Sequence, residues 1–395
     1  MATASNRSER RLVLLVGAVV FVDTMFYAAI APLLPALAHQ LHLSKLSAGV
    51  LTASYPLGML VGSLPGGFLA ARAGPRFAVC AGLALLAGST LAFGFLDSVW
   101  ALDAARFVEG LGGACSWAGG LAWIVAEAPL DRRGSLIGDA IGAAIGGALF
   151  GPMVGTVATA VGRAATFSAV VAFAFVLIVE ARRQPRLAAT SPQGMRHLRA
   201  ALRRRGLLGA MWLVGIPAIA SGLISVLGPL RLHRLGADAL AIGATFVAAT
   251  AIEAMISPVI GRLSDRRGRL LPMRFGLAAA SVILLCFPIP SSAVLVALII
   301  VASSAALATF WAPGMALLAD RAEAHGLDQA FAAALMNLAW AGGQILGSGG
   351  GGASAKAAGD ALPVAVTAVM FMATLVGLSG STRPAMLVWR RGNQA

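Results

Sequence analysis

The sequence predicts an all-α membrane protein in which twelve transmembrane helices form two pseudo-symmetric six-helix bundles. The first observation is composition: 58% of the 395 residues are hydrophobic, 12% are charged, and the mean hydropathy is +0.84. The second is that apolar runs of about 20 residues, each long enough to cross a bilayer, recur along the whole chain. The third is a short cationic pattern that occurs twice, half a chain apart, which indicates two homologous halves.

Six apolar runs lie in the first half of the sequence. Each run is roughly 18–28 residues long, which suffices to cross a hydrocarbon core about 30 Å thick with some tilt. These runs predict an N-terminal bundle over residues 1–181. Their approximate limits are residues 12–38, 47–70, 76–96, 99–127, 134–160 and 164–181.

A polar segment divides these six runs from the next six. Residues 182–205 hold eight arginines together with Ser191, Pro192 and Gly194, so we expect a linker over residues 182–206. The C-terminal bundle is then residues 207–395, and Gly349–Gly352 is expected to form a flexible loop at the end of the eleventh run. The second set of runs has the limits 207–231, 239–261, 270–289, 292–319, 328–349 and 361–380.

The basic residues predict the orientation. With a cytoplasmic N-terminus, 24 of the 30 Lys and Arg residues fall on the inner side, which follows the positive-inside rule and places both termini in the cytoplasm. This bias accounts for the net charge of +14, and the basic residues are spread over many inner loops, so nucleic-acid binding is not needed to explain the charge and is not expected. The scarcity of lysine suits a high-GC bacterium, so we expect its inner membrane. The basic residues expected outside are Lys45, Arg163, Arg231, Arg234 and Lys356.

Two motifs contain glycine at fixed spacing. The duplicated pattern is a cationic hairpin between two spans, and its residues are Gly67, Arg72, Gly74 and Arg76 in the first copy and Gly261, Asp265, Arg266, Gly268 and Arg269 in the second. The fifth run has the spacing G-x8-G-x3-G-P-x2-G, where glycine permits close helix packing and proline bends the helix. The residues of this second motif are Gly138, Gly147, Gly151, Pro152 and Gly155.

Two acidic side chains lie deep within apolar runs, where an ionisable group needs a structural or functional reason. Asp23 lies about 18 Å along the first helix from Arg11, near the bilayer midplane. Glu253 lies about 12 Å from the inner end of the eighth run. Neither has a partner on its own helix, which favours proton or substrate binding over a structural ion pair. For Glu253, a pair with a basic side chain near the inner gate is the alternative.

Other polar and aromatic side chains lie in the fourth and eleventh runs. Arg106 and Glu109 are three residues apart on one face of a helix, so a mutual ion pair and a functional role are equally supported. Asn337 and Gln344 share a face of the eleventh run with Trp340. Four aromatic side chains offer ring faces to a cation, although plain packing is their commoner role: Tyr27, Trp117, Trp311 and Trp340.

With these motifs the chain resembles the major facilitator superfamily. Within it, the chain resembles the twelve-span drug:proton antiporters, and is most similar to the vesicular amine transporter branch and its bacterial relatives. The two hairpins match the superfamily's hairpin motif, and the glycine pattern of the fifth run matches the antiporter motif. Residues 23–35 match the family's Asp-x8-Pro-x-x-Pro, and residues 106–112 match Arg-x-x-Gln-Gly-x-Gly. The resemblance covers nearly the whole chain.

Three positions depart from the pattern of this family. Ala71 replaces the hairpin Asp of the first half, whereas Asp265 retains it in the second. Glu109 replaces the Gln of the fourth span and adds a titratable group. Asn337 stands where the amine transporters carry an Asp, so a proton-binding role at that position must move, with Glu253 or Glu109 as candidates.

The resemblance implies a secondary transporter that exports a small lipophilic, cationic drug or amine in exchange for protons by alternating access. Two other functions are kept open: a proton-coupled symporter or uniporter that imports a small nutrient, and a membrane sensor that does not transport. No nucleophile–base set or metal cluster is evident, so we expect no enzyme activity, no cofactor and no metal site. The expected partners are the substrate, protons and the bilayer, with the protein acting as a monomer.

Overall fold

The computed structural model describes residues 2–127, 132–185, 203–327 and 329–380, and all regular structure in these ranges is helical. The linker predicted for residues 182–206 falls largely outside them. A π-helical turn, Leu346–Gly350, joins two of the helices. The helices are α1 (Ala2–Ala28), α2 (Ile30–Gln40), α3 (Lys45–Ala73), α4 (Pro75–Phe95), α5 (Val99–Glu127), α6 (Arg133–Val161), α7 (Arg163–Arg183), α8 (Arg205–Arg234), α9 (Ala239–Arg267), α10 (Leu270–Cys286), α11 (Ala293–Ala324), α12 (Gln329–Ile345), α13 (Gly351–Ala358) and α14 (Ala361–Gly380).

These helices form the twelve predicted spans. Helices α1 and α2 form the first span, α3 to α11 form the second to the tenth, α12 and α13 form the eleventh with the π turn between them, and α14 forms the twelfth. Nine helical segments of the described ranges are long and apolar enough by themselves to cross a membrane. Because the number of spans is even, α1 begins and α14 ends on one side. We call this side the N-terminal face and the other the opposite face.

The first span covers Arg10–Gln40, in agreement with the predicted limits 12–38, and has a one-residue break at Ala29. Helix α1 ends at Ala28 and α2 begins at Ile30. The cause is Pro32, which donates no hydrogen bond and whose ring conflicts with the carbonyl group four residues earlier.

The two halves repeat one packing pattern. In the first half α3 packs on α5, α4 packs on α5 and α7, and α1 packs on α6. In the second half α9 packs on α11, α10 packs on α11 and α14, and α8 packs on α12. The two hairpins also share a backbone conformation, since Gly74 and Gly268 have φ values of +89° and +90°, a region that favours glycine. The predicted pseudo-symmetry of the fold is therefore confirmed.

The halves meet along two lines, α3 against α12 and α13, and α6 against α9. The prediction of a flexible loop at Gly349–Gly352 is wrong, because this stretch is helical and packs against α3. A Cβ atom on Gly352 would lie 2.5 Å from the carbonyl oxygen of Lys45, and one on Gly49 would collide with the carbonyl oxygen of Ser348. Glycine is used here because it lets two membrane helices approach closely.

Candidate functional site

Asp23 lies at the junction of α1, α3 and α5 and is fully buried. Tyr55 Oη donates to both carboxylate oxygens at 2.9 Å, and Trp117 Nε1 donates to Oδ2 at 2.9 Å. The neighbouring position on α5 must be glycine, because a Cβ on Gly113 would lie 2.6 Å from Oδ1. Within the described ranges the side chains that donate to Asp23 are neutral, so no ion pair there balances its charge.

Arg106 and Glu109 form a buried ion pair on α5, as one of the two interpretations of the sequence proposed. Each residue is 2% exposed, and Arg106 Nη1 donates to both carboxylate oxygens of Glu109 at 3.0 Å. The guanidinium group also donates to the carbonyl oxygens of Phe26 and Tyr27 at 3.3 Å, directly before the break in the first span. Arg106 therefore fixes α5 to the interrupted part of α1.

Aromatic rings connect this region to the second half of the protein. The ring of Tyr27 lies 4.9 Å from that of Tyr55 and 5.4 Å from that of Trp340, which is on α12. The guanidinium carbon of Arg106 lies 5.2 Å from the centroid of the Tyr55 ring. Trp117 packs on the same cluster. Three of these four aromatic residues, Tyr27, Trp117 and Trp340, were predicted as site residues from the sequence.

Glu253 is half-buried on α9 and faces this group from the second half. It interacts electrostatically with Tyr27, and the indole nitrogen of Trp311 lies beside its carboxylate. That nitrogen makes no hydrogen bond of standard geometry, so the pair is a contact rather than a bonded pair. Among the described side chains, no arginine forms an ion pair with Glu253, in contrast to the alternative that the sequence left open.

Asn337 and Gln344 take different positions on α12. Asn337 is half-buried one turn before Trp340. Gln344 is 3% exposed, and its side-chain oxygen would lie 2.9 Å from a Cβ on Gly222 of α8. The structure thus places Gln344 against α8 and does not bring it to Asp23.

The fifth-span motif makes its close contacts at three of its four glycines. A Cβ on Gly147 would collide with the carbonyl oxygen of Phe21, and one on Gly151 would lie 2.6 Å from the carbonyl oxygen of Met25. A Cβ on Gly155 would collide with the carbonyl oxygen of Ala29. Gly138 has open space instead, so it is not part of this contact. Pro152 is buried within α6, which continues through it.

The two hairpins are held within their own halves. Arg76 donates to the carbonyl oxygens of Arg182 and Gln184 at 3.0 and 2.7 Å, and Arg72 lies 5.9 Å from the Phe68 ring. The second hairpin uses carboxylates, since Arg269 contacts Asp265 and Asp320, each at 3.1 Å. A side chain at Gly67 or Gly261 would meet no close neighbour, so helix packing does not require glycine at these two hairpin positions. Arg266 of the second hairpin is exposed.

A group of charged residues that was not predicted from the sequence joins the halves at the opposite face. It consists of Lys45, Arg231, Arg234 and Asp360, and we call it the opposite-face charge cluster. Tyr55 was also missed, although it is one of only two tyrosines in the sequence and lies in an apolar run. Lys45, Arg231 and Arg234 were assigned to one side of the membrane, but nothing in the sequence links them to Asp360.

The sequence matches the family model described as Major Facilitator Superfamily over residues 16–348, with a second match over residues 217–392. Among curated proteins, the 4-hydroxybenzoate transporter PcaK of Pseudomonas putida is 32% identical over 107 residues, which is 27% of this chain. The matched region spans only 24% of that relative's length.

Solved structures of similar fold extend over nearly the whole chain. A bacterial homolog of the human lysosomal transporter Spinster superposes with a TM-score of 0.75 at 14% identity, covering 93% of this chain and 96% of its own. The xylose transporter XylE from E. coli superposes with a TM-score of 0.74 at 16% identity, covering 96% and 98%. At these identities the similarity shows the fold alone.

Proposed function

The chain belongs to the Major Facilitator Superfamily, and we propose that it exports a small lipophilic cation in exchange for protons. Membership makes it a membrane transporter of a small molecule and not an enzyme. In the proposal, Asp23 and Glu253 bind either protons or the cation. The exchange follows because the two ligands compete for the same carboxyl groups.

The main support for this proposal is the excess of acidic over basic side chains at the centre of the bundle. Three carboxyl groups lie in this region: Asp23 is bonded to Tyr55, Glu109 is bonded to Arg106, and Glu253 faces Tyr27 from the second half. Arg106 is the one basic member of this group and already bonds Glu109. A carboxylate in a low-dielectric site without a countercharge is unfavourable, so Asp23 and Glu253 favour a proton or a cationic ligand.

The aromatic side chains suit a lipophilic cation. Tyr27, Tyr55, Trp117 and Trp340 lie on both sides of the contact between the halves, and a ring face attracts a cation, more strongly where water is excluded. Since the Tyr27–Trp340 contact joins the two halves, a ligand that separates these rings also affects how the halves meet. We propose that this couples substrate binding to alternating access by rocking of the halves.

Import of an aromatic carboxylate is the second candidate, and the match to the 4-hydroxybenzoate transporter favours it. An anionic substrate requires a positive charge in the site. Here Arg106 would have to release Glu109 and the carbonyl oxygens of Phe26 and Tyr27. The geometry therefore favours the cation.

Transport by the purified full-length chain in proteoliposomes distinguishes these functions. An imposed pH gradient should drive accumulation of tetraphenylphosphonium in the more acidic compartment, and protein-free vesicles report passive leak. Radiolabelled 4-hydroxybenzoate is the matched anion. Gradient-driven movement of the anion without movement of the cation would replace the proposal with the import function, and movement of neither would support a sensor. We propose further that the protein is a monomer in a bacterial inner membrane with a cytoplasmic N-terminal face.

A further inference from the structure

A groove of about 380 Å³ lies between α1 and α7 at the N-terminal face. Its charged rim is formed by Arg10, Arg11 and Glu180, and its apolar floor includes Leu14 and Leu177. The membrane-spanning part of the first helices begins at Arg10, so the rim lies at the level where the bilayer meets water.

The groove faces away from the central site. Leu14 lies nine residues before Asp23, which is about 2.5 turns of helix and therefore the opposite side of α1. The side chain of Leu14 is 64% exposed, although it is apolar. In a membrane-spanning helix such a side chain is covered by lipid acyl chains.

The rim carries more positive than negative charge. Arg11 Nε donates to Glu180 at 2.6 Å and remains 59% exposed, and Arg183 Nη1 lies 3.8 Å from the other carboxylate oxygen. The single carboxylate is thus shared by two guanidinium groups, and Arg10 is exposed beside them. The rim therefore carries a net positive charge that can attract an anion.

We propose that this groove binds an anionic phospholipid, with the phosphate on Arg10 and Arg11 and one acyl chain along Leu14, Ala18 and Leu177. Guanidinium groups bind phosphate through paired hydrogen bonds, and basic pockets between membrane helices bind anionic head groups. A zwitterionic lipid fits less well because its ammonium group would need Glu180, which two arginines already share. The site does not depend on which substrate is transported.

Native mass spectrometry of the full chain, with phosphatidylglycerol and phosphatidylethanolamine of matched acyl chains, tests this site. A basic residue near the surface contributes roughly fivefold in affinity for an anionic lipid, so the wild type should prefer phosphatidylglycerol at least about fivefold. Arg10→Gln with Arg11→Gln should abolish this preference. As a control, Arg262→Gln with Arg267→Gln removes two exposed arginines on α9, away from the groove, and should preserve the preference for phosphatidylglycerol.

Two single variants separate head-group recognition from acyl-chain binding. Glu180→Gln frees Arg11 from its ion pair, so the preference for phosphatidylglycerol should rise. Ala18→Trp fills the floor and should lower the bound amount of both lipids while leaving the preference for the anionic one. Equal binding of both lipids by the wild type would refute the proposal. Displacement of phosphatidylglycerol by millimolar inorganic phosphate would also refute it, because the site would then take a soluble anion.

Discussion

Lys45 and Asp360 join the two halves of the protein at the opposite face. Lys45 begins α3, and its Nζ lies 2.5 Å from Oδ1 of Asp360, which directly precedes α14. Arg234 at the end of α8 bonds the other carboxylate oxygen, and Arg231 Nη1 lies 3.8 Å from that oxygen. Asp360 is 7% exposed, so one shielded carboxylate holds three cations together. Because Lys45 lies in the first half and the other three residues lie in the second, the cluster links the halves at this face.

We expect Asp360→Asn to shift the protein toward a state that is open at the opposite face. The variant leaves three cations near one another without their shared carboxylate. We expect the free-energy difference between the closed and the open state to change by about 1–2 kcal/mol, or roughly 5- to 30-fold in population. The change stays modest because Lys45 and Arg234 are partly exposed. Spin labels at Gln40 and Lys356, one in each half, would report the separation. Asp97→Asn is the matched control because its partner Arg163 lies in the same half. Equal distances in both variants would contradict the role of the cluster.

The cluster should be insensitive to pH near neutrality. Burial raises the pKa of Asp360, but hydrogen bonds from Lys45 and Arg234 outweigh this and hold it below its usual value. Because the pKa is lowered in the folded state, the ionised carboxylate stabilises the protein fully at any pH above its unfolded-state pKa of about 3.9. This stabilisation is lost only as the pH falls through the folded-state pKa. The difference in spin-label distance between the wild type and Asp360→Asn should therefore be the same at pH 5.5 and pH 8, both well above about 4.

Close packing of α6 on α1 should make Gly151 intolerant of a side chain. A Cβ at this position would lie 2.6 Å from the carbonyl oxygen of Met25, and no rotamer relieves a clash with backbone. Gly151→Leu should destabilise the protein by about 1–3 kcal/mol or more. Gly142→Leu on the same helix is the control, since nothing lies within 4 Å of a Cβ there. Equal melting temperatures of the two purified variants would show that this face does not pack closely.

The fold can be predicted well from the sequence because each membrane span is one long, continuous apolar segment. Apolar runs indicate all twelve spans, and the hairpins at Gly74 and Gly268 indicate the duplication. The break near Ala29 and the helical stretch at Gly349–Gly352 were not predicted. The break follows from Pro32, which removes a backbone donor within the helix. The form of Gly349–Gly352 depends on contacts with another helix, because glycine is equally compatible with a loop and with a tight interface.

The site is predicted less completely because its geometry joins distant segments. Depth in the helix identified Asp23, and spacing on one face identified the Arg106–Glu109 pair. No sequence rule indicates that Tyr55 donates to Asp23, or that Asp360 lies between residues of two halves. Such pairs become visible only when the helices are packed together.

The orientation of the protein rests on its arginine distribution and makes a direct prediction. Ser191 lies in the predicted linker, outside the described residues, and should be cytoplasmic. In intact cells a membrane-impermeant maleimide should fail to label Ser191→Cys and should label Ala357→Cys, an exposed position at the opposite face. Both variants require a background without Cys286, which is exposed. The reverse labelling pattern would invert the proposed direction of transport.

Glu253 should carry part of the pH dependence of transport. Its carboxyl group lies beside Trp311 and interacts with Tyr27, and Glu253→Gln keeps the shape while removing the titration. We expect the dependence of cation uptake on pH to flatten and the affinity for the cation to fall. Glu323→Gln, at an exposed glutamate in the same half, should leave both unchanged. A pH profile identical to that of the wild type would remove Glu253 from proton coupling.

Proton release on cation binding tests the central claim, that one ligand replaces the other at Asp23. Tetraphenylphosphonium is titrated calorimetrically into the purified protein at neutral pH, in buffers that differ in ionisation enthalpy. The heat should change with the buffer and correspond to release of about one proton per bound cation, because binding and protonation are linked. Asp23→Asn should reduce this release while the Tyr55 and Trp117 contacts retain an oxygen acceptor. Binding of the cation by the wild type with the same heat in every buffer would contradict the exchange mechanism.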